Sequence, residues 1–339
     1  MDNTYPVLRF QNSDPATPTH TSRTSALPKL GLRRSSEKNI FSKILSNPKN
    51  ATIKPPSTAA ATFSIDKTKS RDEAIYQRNL HKPRVTAQSW IVIDGKKGKV
   101  LSGKDIDTPR EMASLTKIMT CYIAITEINS RNMSFYDFAT VSKEAASMAG
   151  TSASLQAGDE ITLWDLLHGL MLPSGNDAAV AIAEYIGKII DPQSVSPIQT
   201  FIKMMNETCK ILKLNATHFT NPHGMSSPNH VSTAKNIASL ALNAMNIAEV
   251  REIVQAESYR CKVKNGGNRR EIIWFNTNRL LKFGFSGLKT GFTPSAGPCL
   301  CCSVEKRRIK RIIVLLNSVS MESRWSEGLG LWKWSSKYF

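Results

Sequence analysis

Strand-forming residues gather in two groups far apart in the chain, and this separation constrains the fold more than any other feature. VTAQSWIVID (85–94), the turn GKKG and KVLSGKD (99–105) read as one hairpin. SGLKTGFT (286–293), PCLCCSVEK (298–306) and IKRIIVLLNSV (309–319) read as three consecutive strands joined by tight turns. Between the groups run segments of helical period: 111–129, TLWDLLHGLML (162–172, stopped by Pro173), DAAVAIAEYIGKII (177–190), 198–214 and 232–245. ESYRCKVK and REIIWFNT add two short strands around the turn NGGN (265–268), and SRWSEGLGLWKWSSKYF closes the chain as an amphipathic helix. Pairing the two groups predicts an α+β fold: an antiparallel sheet of about five strands flanked by helices, with an inserted helical lobe.

Order is expected from about residue 86 onward. Residues 1–85 are rich in Pro, Ser, Thr, Asn and Lys and show no sustained period, so they read as a disordered basic tail. Of the net charge of +18, residues 1–84 hold 15 Lys/Arg against 6 Asp/Glu. Nucleic acid is a poor fit, because the tail lacks dense Lys/Arg runs interleaved with aromatics. IFSKIL (40–45) reads as one turn of transient helix. Ser35 and Ser36, beside two arginines in GLRRSSEK, offer phosphorylation sites and with them a phospho-dependent partner. A solvated linker explains the same residues.

The six cysteines show no zinc-ligand spacing and no disulfide framework. No Sec-type signal and no apolar run long enough to span a membrane is visible, so the default compartment is inside the cell.

Chemistry enters at EMASLTKIMT. Ser114 and Lys117 lie three apart, on one face of a helix front. A serine is a poor nucleophile until a base takes its proton, and a lysine serves only if burial or a neighbouring cation lowers its pKa. Alone the pattern is weak, since SxxK recurs at Ser232, Ser286 and Ser303 among others. Taken alone, a helix cap with a snorkelling lysine is the plainer reading there. LPSGNDAAV then sets Ser174 and Asn176 in an interhelical loop, where capping of the next helix is the plainer reading. GLKTGFT places Lys289, Thr290 and Gly291 on a strand. There Lys289 adds a second cation, Thr290 a hydroxyl for a carboxylate, and Gly291 room for a substrate backbone. Together the order SxxK, SxN 60 residues later and KTG 115 further on is far more specific.

On these motifs, with LMLPSGNDAAVAIAE, FTNPHGM, NTNRLL and LKTGFTPSAGPCL, residues 86–339 resemble the serine-type D-alanyl-D-alanine carboxypeptidases, the low-molecular-mass penicillin-binding proteins. The resemblance implies a β-lactamase/transpeptidase-like fold and assigns roles. Ser114 is the acylated nucleophile, Lys117 its base, and Ser174 a proton relay. Asn176 orients the substrate amide. Lys289 and Thr290 hold the terminal carboxylate with Arg324, and the backbone N–H groups of Ser114 and Phe292 form the oxyanion hole. It implies a peptide substrate ending in D-Ala-D-Ala, β-lactams as covalent inhibitors, and no metal or cofactor. His168 and His223 read as packing residues.

Family members are usually exported and often carry a further small β-domain. This chain shows no recognisable export signal and ends at Phe339, where the catalytic domain is expected to close. Two alternatives therefore stand beside the main reading: a catalytically silent scaffold, and a peptidase for D-amino-acid peptides outside peptidoglycan.

Overall fold

The computed structural model describes residues 64–339; Ser35, Ser36 and the IFSKIL turn lie outside them. In chain order the elements are α1 (Ser64–Leu80), β1 (Ser89–Asp94), β2 (Val100–Lys104), α2 (Lys117–Ser130), β3 (Phe138–Thr140), α3 (Lys143–Ala146), β4 (Glu160–Thr162) and α4 (Leu163–Met171). There follow α5 (Asn176–Ile190), α6 (Pro197–Ile211), α7 (Ala234–Ala244), α8 (Ala248–Gln255), β5 (Ser258–Asn265) and β6 (Asn268–Phe275). The chain closes with β7 (Leu288–Gly291), β8 (Cys299–Lys306), β9 (Ile309–Leu316) and α9 (Ser323–Tyr338).

The expected sheet is present. Five antiparallel strands run in the order β2-β1-β9-β8-β7, so the two distant strand groups meet where β1 pairs with β9, Ser89 opposite Leu316 and Asp94 opposite Arg311. Both faces of its middle are covered, which is why β8 and β9 read as unbroken apolar runs. Ile91, Cys301, Ile312 and Val314 point into the core shared with α2, α5 and α7. Trp90, Val92, Cys302, Ile313 and Leu315 point the other way, against Trp325, Leu331 and Trp332 of α9. Each such side chain contributes about 1.5–3 kcal/mol when fully buried. All six cysteines are free and buried, and burial pushes the Cys121 thiol up to about 12.

Three features depart from the expectation. The 258–275 hairpin belongs to a second sheet, β3-β4-β5-β6, whose first two strands have three residues each, too few to show a period. The helix expected over 111–129 begins with a 3-10 turn, Ala113–Thr116, before α2. Ala113, at φ +48°, forces that break. And α1 runs through residues expected to be tail. Its end is held by tertiary contacts: Trp334 Nε1 donates to Arg78 O at 2.9 Å, and Arg78 lies over the Phe339 ring.

Candidate active site

The 3-10 turn carries Ser114, and Lys117 opens α2 behind it, fully buried. Lys117 Nζ has three neighbours: Ser114 Oγ at 3.0 Å, Asn176 Oδ1 at 2.7 Å and the carbonyl oxygen of His223 at 2.6 Å. The last two can only accept. Asn176 Nδ2 donates to Ala149 O at 2.6 Å, which fixes the amide so that its oxygen faces the lysine. A neutral amine has two N–H groups and one lone pair. With both N–H groups taken by Asn176 and His223, the lone pair faces the Ser114 hydroxyl.

Whether the amine is neutral is a matter of electrostatics. Burial holds Lys117 well below the ordinary lysine range, and the Lys289 ammonium lowers it further, against a smaller opposite pull from Asp177. Lys289 on β7 is itself buried, donates to Thr290 O at 3.1 Å, and is lowered to about 7 by burial and by Arg324. Asp177 is no nearby base. Its carboxylate accepts from Ser152 Oγ and from the N–H groups of Ala153, Leu155 and Ala178, and so shapes the 152–155 loop.

Close backbone packing sets these groups in place. A Cβ at Gly291 would lie 3.1 Å from Ser114 N and 3.0 Å from Met112 O. The glycine of KTG thus admits the backbone at Ser114 on one side, and it also lines the cleft. Gly224, at φ +92°, would place a Cβ 2.1 Å from Ala113 O, so only glycine lets the His223 carbonyl reach Lys117. Asn221 Oδ1 accepts from Gly224 N at 2.6 Å and pins that loop.

The remaining predicted residues surround one cleft of about 450 Å³, lined by Ser114, Ser174, Asn176, Thr290, Phe292 and Arg324 among others. Ser174 is held at φ +70°, with its carbonyl accepting from Thr151 Oγ1 at 2.6 Å. Thr290 Oγ1 lies 2.9 Å from Thr277 Oγ1. Arg324 Nη1 donates to Gly291 O at 3.0 Å and Cys299 O at 3.2 Å, which anchors a cation at the wall. Lys289 lies behind this wall and is not among the lining residues. A depression of similar size on the β5–β6 hairpin is lined by Lys262, Arg269 and Glu271 and holds no nucleophile.

Of the SxxK pairs at Ser114, Ser232, Ser286 and Ser303, Ser114–Lys117 is the one whose hydroxyl and amine meet; Lys235 instead pairs with Asp107, Lys289 donates to Thr290 O, and Lys306 donates to Phe283 O. The sequence reading missed what backbone and outer contacts do. His223 contributes its carbonyl, while burial lowers its imidazole to about 3. His230, lowered by burial to about 4, accepts from Thr220 N at 3.0 Å on Nδ1. Its Nε2 is therefore free to donate to Thr116 Oγ1, 2.8 Å away. His168, stacked on Tyr259 and bonded to Trp164 O, belongs to the helical lobe.

A family model described as D-alanyl-D-alanine carboxypeptidase matches residues 76–320. The chain belongs to this family. Its relatives include the D-alanyl-D-alanine carboxypeptidase DacF of Bacillus subtilis (strain 168), 32% identical over 241 residues, 70% of this chain and 59% of that protein. The D-alanyl-D-alanine carboxypeptidase of Streptomyces sp. (strain K15) is 32% identical over 257 residues, 73% of this chain and 86% of its own length. The crystal structure of the Streptomyces K15 DD-transpeptidase superposes with a TM-score of 0.70 at 31% identity, covering 75% of this chain and 98% of that one. This carboxypeptidase-family chain thus has the fold of a DD-peptidase, and it spans about three-fifths of the length of the Bacillus relative. Among the described residues, no helix is long and apolar enough to cross a membrane.

Proposed function

We propose that the chain is a serine-type D-alanyl-D-alanine carboxypeptidase with residues 86–339 as its catalytic unit. The observation that carries this reading is the setting of Lys117: an amine held by Asn176 Oδ1 and His223 O, 3.0 Å from Ser114 Oγ. Lys117 takes the Ser114 proton as Oγ attacks the carbonyl of the penultimate D-alanine. General-base help of this kind contributes about 10²–10⁴-fold. The oxyanion lies between the N–H groups of Ser114 and Phe292, and each such donor contributes about 10²–10³-fold. The C–N bond breaks, and the proton passes from Lys117 through Ser174 to the leaving D-alanine amine. Water then hydrolyses the ester on Ser114.

Thr290 and Arg324 hold the terminal carboxylate at the cleft wall, the Lys289 ammonium behind that wall adds its positive field, and Asn176 orients the amide. The carboxylate of a β-lactam suits the same cationic wall, so Ser114 opens the lactam ring and is acylated. The ExxLN pattern by which class A β-lactamases activate the second water is missing after Asn176, so the adduct persists. The test is D-alanine release from a peptide ending in D-Ala-D-Ala, alongside labelling by a fluorescent penicillin. Wild type is expected to do both and Ser114→Ala neither. A folded wild type that does neither leaves a silent scaffold.

A further inference from the structure

The β1–β2 and β8–β9 hairpins of the large sheet turn at the same end, and that end is densely cationic. β1 and β9 are neighbours, so the β1–β2 turn lies beside the β8–β9 turn, with Gly95 N donating to Lys310 O at 2.8 Å. The first turn exposes Lys96, Lys97 and Lys99, and the second exposes Lys306, Arg307 and Arg308. Among the described residues, none of these six is in an ion pair. Of the two carboxylates on these turns, Asp94 is engaged by the N–H groups of Lys96 and Lys97 and by Arg311, and Glu305 stands opposite Lys310. Cations crowded without counter-charge repel one another, and an external anion relieves this.

The position of this end matters. β8 starts at Cys299, whose carbonyl holds Arg324 at the cleft wall, and finishes seven residues later at Lys306. At about 3.3 Å per residue the basic end lies roughly 23 Å from the cleft. It is no part of the substrate site, and whatever it docks on leaves the cleft pointing away.

We propose that this end of the sheet is a docking surface for an anionic lipid bilayer. Neither turn carries an aromatic side chain on which bases could stack, as a single-stranded nucleic acid requires. Phe283 is 53% exposed beside the patch, where Lys306 Nζ donates to its carbonyl, and a ring among cations suits the headgroup boundary. Each basic side chain near an anionic leaflet strengthens binding roughly fivefold, and salt screens it.

The test is sedimentation of the full chain with equimolar phosphatidylglycerol–phosphatidylcholine vesicles, against phosphatidylcholine alone, at low and high salt. The variant combines Lys96→Gln, Lys97→Gln, Arg307→Asn and Arg308→Asn. Asn suits the last two positions because both have positive φ, 51° and 66°. The N-terminal segment is unchanged, so its own charge cancels in the comparison. Expected are salt-sensitive binding of wild type to the anionic vesicles only, and a loss on the order of several hundred-fold in the variant, with an unchanged circular dichroism spectrum. Equal binding by the variant overturns the assignment. So does patch-dependent binding to soluble heparin without binding to vesicles, which makes the partner a soluble polyanion. Absence of binding to any probe overturns it as well.

Discussion

Replacing Gly224 by alanine perturbs the site without touching any side chain that acts on substrate. The new Cβ would lie 2.1 Å from Ala113 O and 2.5 Å from Ala113 C, both backbone atoms that cannot rotate away. Relief needs a shift of about 1 Å, since the overpacking has no other outlet. The His223 carbonyl, one residue earlier, then moves from 2.6 Å to beyond hydrogen-bonding distance of Lys117 Nζ. Strain at positive φ costs about 1–2 kcal/mol and overpacking about 1–3 kcal/mol. At about 2–4 °C per kcal/mol for a chain of this size, Tm falls by roughly 4–20 °C. A misplacement of about 1 Å near the base costs on the order of 100-fold in acylation. The control is Gly267→Ala, at φ +87° with nothing within 4 Å, which carries the strain without the clash. Fluorescent-penicillin acylation rates and thermal melts of both variants decide the matter. If Gly224→Ala acylates within threefold of Gly267→Ala and melts with it, the close approach of this loop does not position the base.

Lys289→Met removes the cation that helps keep Lys117 neutral, so the rising limb of the acylation pH profile is expected to move to higher pH. An unmoved limb would show that burial alone sets the base. The same change relieves a buried cation whose folded pKa, about 7, lies below its unfolded value. That penalty is full below pH 7 and fades as pH rises toward the unfolded pKa, so Lys289→Met raises Tm more at pH 6 than at pH 10. His223 and His230 are lowered to about 3 and about 4, so no histidine inflection is expected in the acylation profile between pH 5 and 8. His230→Leu strips partners from Thr116 and Thr220 and is expected to cost about 1–3 kcal/mol in denaturant unfolding. A neutral His230→Leu melt, or an inflection near pH 6.5 that His230→Leu abolishes and Lys289→Met leaves in place, would show that the imidazole is not the fixed neutral bridge described.

Much of the fold was legible because its strong elements repeat apolar residues at a clear period. The run IIVLL in β9 declares a strand covered on both faces, and α5 shows its helix outright. The short strands β3 and β4 and the eight-residue α8 were not, since segments of that length draw their stability from neighbours rather than from their own pattern. For the site, side-chain partners were readable from motif spacing, and Ser114, Lys117, Ser174, Asn176 and Thr290 gather as a group around one cleft, with Lys289 behind its wall. The His223 carbonyl was not readable, because a backbone acceptor is spelled by no letter. Nor was the basic end of the sheet, since its two turns become neighbours only through the β1–β9 pairing.

The most direct test is to treat the purified chain with penicillin, digest it and locate the adduct by mass spectrometry. A single stable adduct on the peptide that holds Ser114, gone in Lys117→Met at neutral pH, is the predicted result. An adduct on another serine, or full modification of Ser114 without the Lys117 amine, would contradict the arrangement of nucleophile and base described here.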